Sequence, residues 1–198
     1  MGTELRPLEC CYKVRLQGVS DPNENKMTSH GVLLVIFDCG VLLTGENSVG
    51  KSSLALELIR RGHRLIADDA PLFQRTAAAR LVGSCPHLLQ DFLAVPGLGA
   101  INIRAIYGDQ TIAAQHLLDL VIHLIPSKPI EPLTRNLGQW EQLNVKVPEI
   151  TLPLMDTMQP ATVIETAVQD HQLRIKGYDA LLELQQRQQE LLNPLSPR

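Results

Sequence analysis

Aromatic residues make up only 4% of the 198-residue chain, with one tryptophan, Trp140. Any core must therefore be assembled from aliphatic side chains. Charge is balanced, with a net of −3 and a pI near 6.1. No basic face is offered to a phosphate backbone, so nucleic acid is not an expected partner. No uncharged run reaches the roughly 18–20 residues of a membrane span, and no cationic apolar leader opens the chain, so the expectation is no membrane and a cytoplasmic location. The four cysteines, Cys10, Cys11, Cys39 and Cys85, match no zinc spacing and read as small buried thiols. His87, His116, His123 and His171 show no metal-ligand spacing either. What remains, 44% hydrophobic and 20% charged residues, is the composition of a globular protein long enough for one sizeable core.

Residues Gly45-Glu46-Asn47-Ser48-Val49-Gly50-Lys51-Ser52 fill every fixed position of G-x-x-x-x-G-K-[ST]. The apolar stretch Val32 to Phe37, then Val41 to Leu43, precedes the motif, and Leu54, Ala55, Leu58 and Ile59 follow at helical spacing. Strand, glycine loop, helix is the setting in which this pattern cradles phosphate. Glycines at 45 and 50 let the backbone curl so that several N–H groups point at one anion, and the helix N-terminus adds partial positive charge. Lys51 then reaches the β/γ-phosphates and the Ser52 hydroxyl ligates Mg²⁺, with Ser53 closing the nucleotide-binding set from Gly45 to Ser53. The chain is expected to bind a nucleoside triphosphate with Mg²⁺.

The rest of the chain alternates. A β-like run surrounds Tyr12 to Leu16, followed by polar turns from Ser20 to Ser29. Arg64 to Ala67 reads as a strand ending at Asp68-Asp69; Leu81–Val82 and Leu93 to Val95 read as short strands; Leu117 to Ile125 reads as one buried strand. Pro126 to Glu149 is broken by proline and glycine, and loops with a single strand near Leu143 to Val147 are expected there. Ala161 to Leu173 is helical. Ala180 to Leu192 reads as an amphipathic terminal helix docking on the domain or on a neighbour. The expected class is α/β.

The run from Gly40 to Asp69, GVLLTGENSVGKSSLALELIRRGHRLIADD, resembles the ATP-binding core of the HPr kinase/phosphorylase family. Ser29-His30-Gly31, the Arg61-Gly62-His63-Arg64 segment leading to Ala67-Asp68-Asp69, Pro96 to Arg104, and Lys176-Gly177-Tyr178-Asp179 extend the likeness over about 30–180. The resemblance implies a single ATP-binding kinase-like domain over 1–198, of the HPr kinase / PEP carboxykinase-like type, with a mixed sheet, flanking helices and a C-terminal helix and tail at 180–198. It further implies a catalytic-domain-only form and a homo-oligomer, given the family's hexameric habit. The implied activity is ATP-dependent phosphorylation of a serine on an HPr-like phosphocarrier protein.

Free serine is a weak nucleophile at neutral pH, so this chemistry asks for a carboxylate near the phosphates. By resemblance Asp68 is the acid/base residue and Asp69 its partner, with Ser52 and Asp69 on the metal. His30 becomes an active-site residue that orients the carboxylate or the phosphate. Lys51 is counted with the catalytic set. His63, between arginines at a helix end, is given a structural role. Arg104 reaches a phosphate or pairs with a carboxylate across subunits.

Three departures from the family pattern bear on direction. Leu93-Ala94-Val95-Pro96-Gly97 stands where the family has Leu-Glu-Ile-Arg-Gly, so a metal-side carboxylate and an arginine are missing. Leu154 to Gln159 carries no positive charge where the family has an Arg- and Gly-rich loop associated with dephosphorylation. Ser53 replaces a common glutamate. Kinase activity with weak or absent phosphorolysis is the expectation. A nucleotide-binding regulatory protein without catalysis and a kinase of another substrate on the same core are the alternatives.

Overall fold

The computed structural model describes residues 25–127, 133–154 and 159–192. In chain order these form β1 (Lys26–Thr28), β2 (Val32–Ile36), β3 (Cys39–Gly45), α1 (Lys51–Arg60), β4 (Arg64–Ala67), β5 (Leu72–Arg75), β6 (Leu81–Ser84), β7 (Phe92–Val95) and β8 (Gly99–Asn102). Then come α2 (Ile103–Tyr107), β9 (Gln115–Leu117), β10 (Leu120–Ile125), β11 (Leu137–Gln142), β12 (Val145–Pro153), α3 (Pro160–Ile175) and α4 (Ala180–Leu192). The expected strand around Tyr12 to Leu16 lies outside the described residues.

The main sheet has the order β11-β12-β10-β3-β2-β4. Strand β10 runs parallel to both β12 and β3, while β2 runs antiparallel to β3 and β4, so the sheet is mixed. A second, antiparallel sheet has the order β1-β5-β6-β9, and β7 and β8 form a separate hairpin. The uninterrupted apolar runs of β2 and β3 follow from this layering, because a strand covered on both faces has no solvent side to leave polar. Val32, Leu34, Ile36, Val41 and Leu43 face α1 and α3, packing with Leu58, Ile164 and Val168. The intervening Leu33, Val35 and Leu42 face the small sheet, with Phe73 and Leu81. Each large aliphatic lost here costs about 2–5 kcal/mol on truncation to alanine.

Four expectations need correction. The run from Val32 does not stay a strand through Phe37: Phe37 and Asp38 both have positive φ, 49° and 57°, and form the two-residue turn into β3. Such mirror-image turns match the twist of the strands they join. The single strand Leu117 to Ile125 is two strands. The chain leaves the small sheet after Leu117 and enters the large one at Leu120, with Leu118 N–H donating to Leu81 O and Asp119 N–H to Gly40 O. The stretch Pro126 to Glu149 holds not one strand near Leu143 but most of a hairpin, and its strand β12 continues to Pro153. Leu143 and Asn144 are its turn, with φ of 50° and 58°. Edge strand β11 is polar and largely exposed, which hid it in the sequence. Finally, among the described residues α4 is not buried against the domain: none of its residues is buried, and Leu182, Leu191 and Leu192 face solvent, which leaves a neighbour as the other expected docking place.

Helix α3 behaves as its spacing requires. Pro160 opens it, where a missing N–H costs nothing, and Ala161, Ile164, Val168 and His171 form its buried stripe. His63 is buried beneath it, 3.0 Å from Glu165 and edge-on to Phe37, consistent with a structural role.

Candidate active site

Strand β3 ends at Gly45 beside β10, and this glycine is required twice over. Its φ is +137°, and an added Cβ would lie 2.4 Å from Leu124 O. Gly50 is needed for backbone freedom alone: its φ is +97° with open space around it, and it turns the loop into α1. Leu54 N–H then donates to Gly50 O, closing the first helical turn. The loop between these glycines exposes N–H groups at a helix N-terminus, the arrangement that favours an anion.

Lys51 begins the helix and folds back over the loop, its Nζ donating to Gly45 O and Glu46 O, each at 2.9 Å. Burial lowers its pKa, against the opposing pull of Asp69 and Asp68. One turn of side chain away, Ser52 Oγ donates to Asp68 Oδ1 at 3.3 Å, and the other oxygen, Oδ2, accepts from the backbone N–H of Ala94 at 2.8 Å. Asp68 is only 7% exposed, and burial raises its pKa; the Asp69 charge adds to this while the Ala94 and Ser52 hydrogen bonds oppose it. Asp69 turns the other way. Its φ of 66° is left-handed, a conformation aspartate tolerates, and its Oδ1 lies 2.8 Å from His30 Nδ1. His30 Nε2 in turn lies 3.1 Å from Asn47 Oδ1.

A cavity of about 590 Å³ gathers these groups: His30, Asn47, Ser48, Gly50, Lys51, Ser52, Ser53, Asp68 and Asp69 all line it. Gly45, Glu46 and Val49 complete the loop without lining the cavity. Ser52, expected beside the metal with Asp69, meets Asp68 instead, while Asp69 pairs with His30. A hydroxyl and a carboxylate are hard oxygen donors, and one or two carboxylates plus substrate phosphates are what Mg²⁺ accepts, so the residues present fit that ion.

Arg104 is not brought to the cavity. Its guanidinium is bound by Asp91, at 2.6 and 3.1 Å, and by Asp109 at 2.5 Å, all within this chain. These hydrogen bonds, Asp91's first, raise its pKa further above the ordinary arginine value. Within this chain the carboxylate pairing of Arg104 is made locally, by Asp91 and Asp109. Sequence reasoning missed three contributors. The Ala94 N–H is a backbone donor that no side-chain identity announces. Pro96 joins the lining from the same hairpin. His123 stands in register with Thr44 on the neighbouring strand, its Nδ1 3.0 Å from Thr44 Oγ1, just before the loop begins.

Comparison with known proteins agrees with this architecture. Residues 23–188 match the HPr Serine kinase C-terminal domain family. The HPr kinase/phosphorylase of Xanthomonas campestris pv. campestris (strain B100) is 43% identical over 180 residues, which are 87% of this chain and 56% of that protein. The HPr kinase/phosphorylase of Xylella fastidiosa (strain M12) is 44% identical with the same coverage of 87% and 56%. The chain thus spans about half the length of the curated relatives it matches. The solved Hpr(Ser) kinase/phosphatase from Coxiella burnetii aligns with a TM-score of 0.70 at 34% identity, covering 76% of this chain and 99% of that one. With 23–188 matched by the family model and the mixed sheet and flanking helices aligned in this way, the chain belongs to the HPr kinase C-terminal domain family.

Proposed function

We propose that this chain binds ATP with Mg²⁺ and transfers the γ-phosphoryl group to a serine of HPr or a related phosphocarrier protein. The observation that carries the reading is the convergence on one cavity of the phosphate loop, Lys51, Ser52, both aspartates and His30. The names of the relatives supply the acceptor class. The loop N–H groups and the α1 N-terminus hold the β/γ-phosphates, and Lys51 exchanges the Gly45 and Glu46 carbonyls for phosphate oxygens. Ser52 and Asp68 are the residues that would hold Mg²⁺, which would offset the negative charge of the phosphates.

The geometry favours Asp69 as proton acceptor. Its side chain is 40% exposed and paired with His30, whereas both Asp68 oxygens are engaged. Burial raises the pKa of Asp68, which taken alone favours the opposite assignment, and a divalent ion held beside it would reverse that preference. In the transfer, serine Oγ bonds to the γ-phosphorus, its proton passes to Asp69, and the bond to the ADP oxygen breaks. Phosphorolysis is far weaker in this reading. It must gather a phosphate dianion beside a phosphoserine, Arg104 is committed to Asp91 and Asp109, and Ala94 and Pro96 bring no charge. The stretch from Met155 to Met158, which carries no positive charge and is part of the same argument, lies outside the described residues. Assembly into a homo-oligomer, hexameric by resemblance, would cover the exposed leucines of α4.

A second reading, a regulatory nucleotide-binding protein without catalysis, draws on the alanine at position 94. Radiolabelled ATP incubated with purified HPr separates the two. Label on HPr, abolished by Asp69→Asn, is the expected outcome; ATP binding without transfer would favour the regulatory reading. Phosphoserine-HPr with millimolar phosphate tests the reverse direction, and rapid pyrophosphate release would show that other cations serve.

A further inference from the structure

His30 stands between two oxygens, Asp69 Oδ1 at 2.8 Å from Nδ1 and Asn47 Oδ1 at 3.1 Å from Nε2. As placed, both partners accept. An imidazolium satisfies both with its two N–H groups, whereas a neutral ring has only one to give. An asparagine resolves this, because rotating its amide by half a turn replaces the oxygen with an NH₂ that donates to the bare Nε2. An aspartate at the same place would fit only the charged ring, and an aliphatic side chain would fit neither. We infer that Asn47 is a positioning residue: its amide keeps the His30 Nδ1–H on Asp69 whichever charge state the ring adopts.

The position needs such a restraint. His30 and Asp69 are 54% and 40% exposed at their side chains, so packing alone does not hold the pair. An exposed ion pair pays rotamer entropy and competes with water. Asn47 belongs to the phosphate loop, whose course is set by the left-handed Ser48 and Gly50, so it anchors the ring to the most constrained backbone in the site. With one Asp69 oxygen held by Nδ1–H, the carboxylate is left one oriented oxygen for an incoming hydroxyl. That last consequence rests on the proposed role of Asp69; the amide–imidazole contact does not.

The test uses the full chain with ¹⁵N-labelled histidine, and long-range ¹H–¹⁵N spectra at alkaline pH, with His30→Gln assigning the signals. The wild type is expected to show His30 protonated on Nδ1. Asn47→Ala should lose that preference and give the Nε2–H form or a mixture. Asn47→Ser, whose hydroxyl both donates and accepts, should restore it. An Nδ1–H signal unchanged in Asn47→Ala, or a wild type protonated on Nε2, overturns the inference. In transfer assays Asn47→Ala should lower kcat by about 10–100-fold, the usual scale for a group that orients a catalytic residue, with KM for ATP moving less than about twofold. An equal loss of ATP affinity would make Asn47 a nucleotide contact instead, and would also overturn the inference. If the wild type transfers no phosphate to HPr, the proposed function falls while the ring spectra still decide the role of Asn47.

Discussion

The phosphate loop and the β7–β8 hairpin both line the cavity, and they do so by different means. The loop side presents Lys51, Ser52 and a row of backbone N–H groups. The hairpin side, from Phe92 to Ile103, contains no charged residue at all. It contributes Ala94 and Pro96 to the lining and one backbone donor to Asp68. Asp68 is where the two sides meet, one oxygen taken by Ser52 and the other by Ala94. A motif of fixed residue types can be shifted in function by one substitution, whereas a backbone donor survives any side-chain change except proline. The side chain at position 94 can therefore change without loosening the carboxylate at 68.

The largest expected effect probes the groups that neither side replaces. Asp69→Asn should reduce phosphoryl transfer by roughly 10²–10⁴-fold, the usual worth of a general base, with ATP binding retained. A variant transferring at the parent rate would return the role to Asp68. Next, Lys51→Ala should weaken ATP by about 10–100-fold in calorimetry, since a charged hydrogen-bonding partner of the phosphates is removed, with an unchanged circular dichroism spectrum. Unaltered affinity would sink the division between a nucleotide-binding side and an apolar one.

A smaller effect, of opposite sign, is expected at the junction. In the cation-free protein the folded pKa of Asp68 is raised above its unfolded value, so the native state binds the extra proton and stability falls as pH rises through the folded pKa. Asp68→Asn removes this penalty and should stabilise the metal-free chain at neutral pH by on the order of 1 kcal/mol, or about 2–4 °C in Tm, while weakening Mg²⁺. A lower Tm would mean that the carboxylate is favourably held even without a cation.

The smallest effect lies outside both sides, in α3. His171 is buried, its Nε2 without a partner among the described residues, and burial, then Arg174, lower its pKa, against opposing contributions from Asp119 and Asp170. Here the unfolded chain binds more protons, so stability is fully present above the unfolded pKa near 6.5 and declines as pH falls toward the folded value. The slope is at most about 1.4 kcal/mol per pH unit. Chemical denaturation from pH 7 to 5 should show it in the wild type and a flatter profile in His171→Leu.

The sequence by itself determined the elements whose cause is local. The glycine loop, the helix that follows it, the helix from Ala161 and the strand leading to Asp68-Asp69 were all legible, because residue type and spacing along the chain specify them. What it left undecided was non-local. The segment Leu117 to Ile125 serves two sheets, and only the hydrogen bonds from Leu118 to Leu81 and from Asp119 to Gly40 divide it. The polar strand β11 exists because β12 offers it a ladder. The two adjacent aspartates look equivalent in the chain, yet a left-handed φ at Asp69 sends one to Ser52 and Ala94 and the other to His30. Arg104, which the motif placed at the site, is claimed instead by Asp91 and Asp109. Each of these choices is made by a partner distant in the chain or by the direction of one backbone bond, and so only the tertiary structure could settle it.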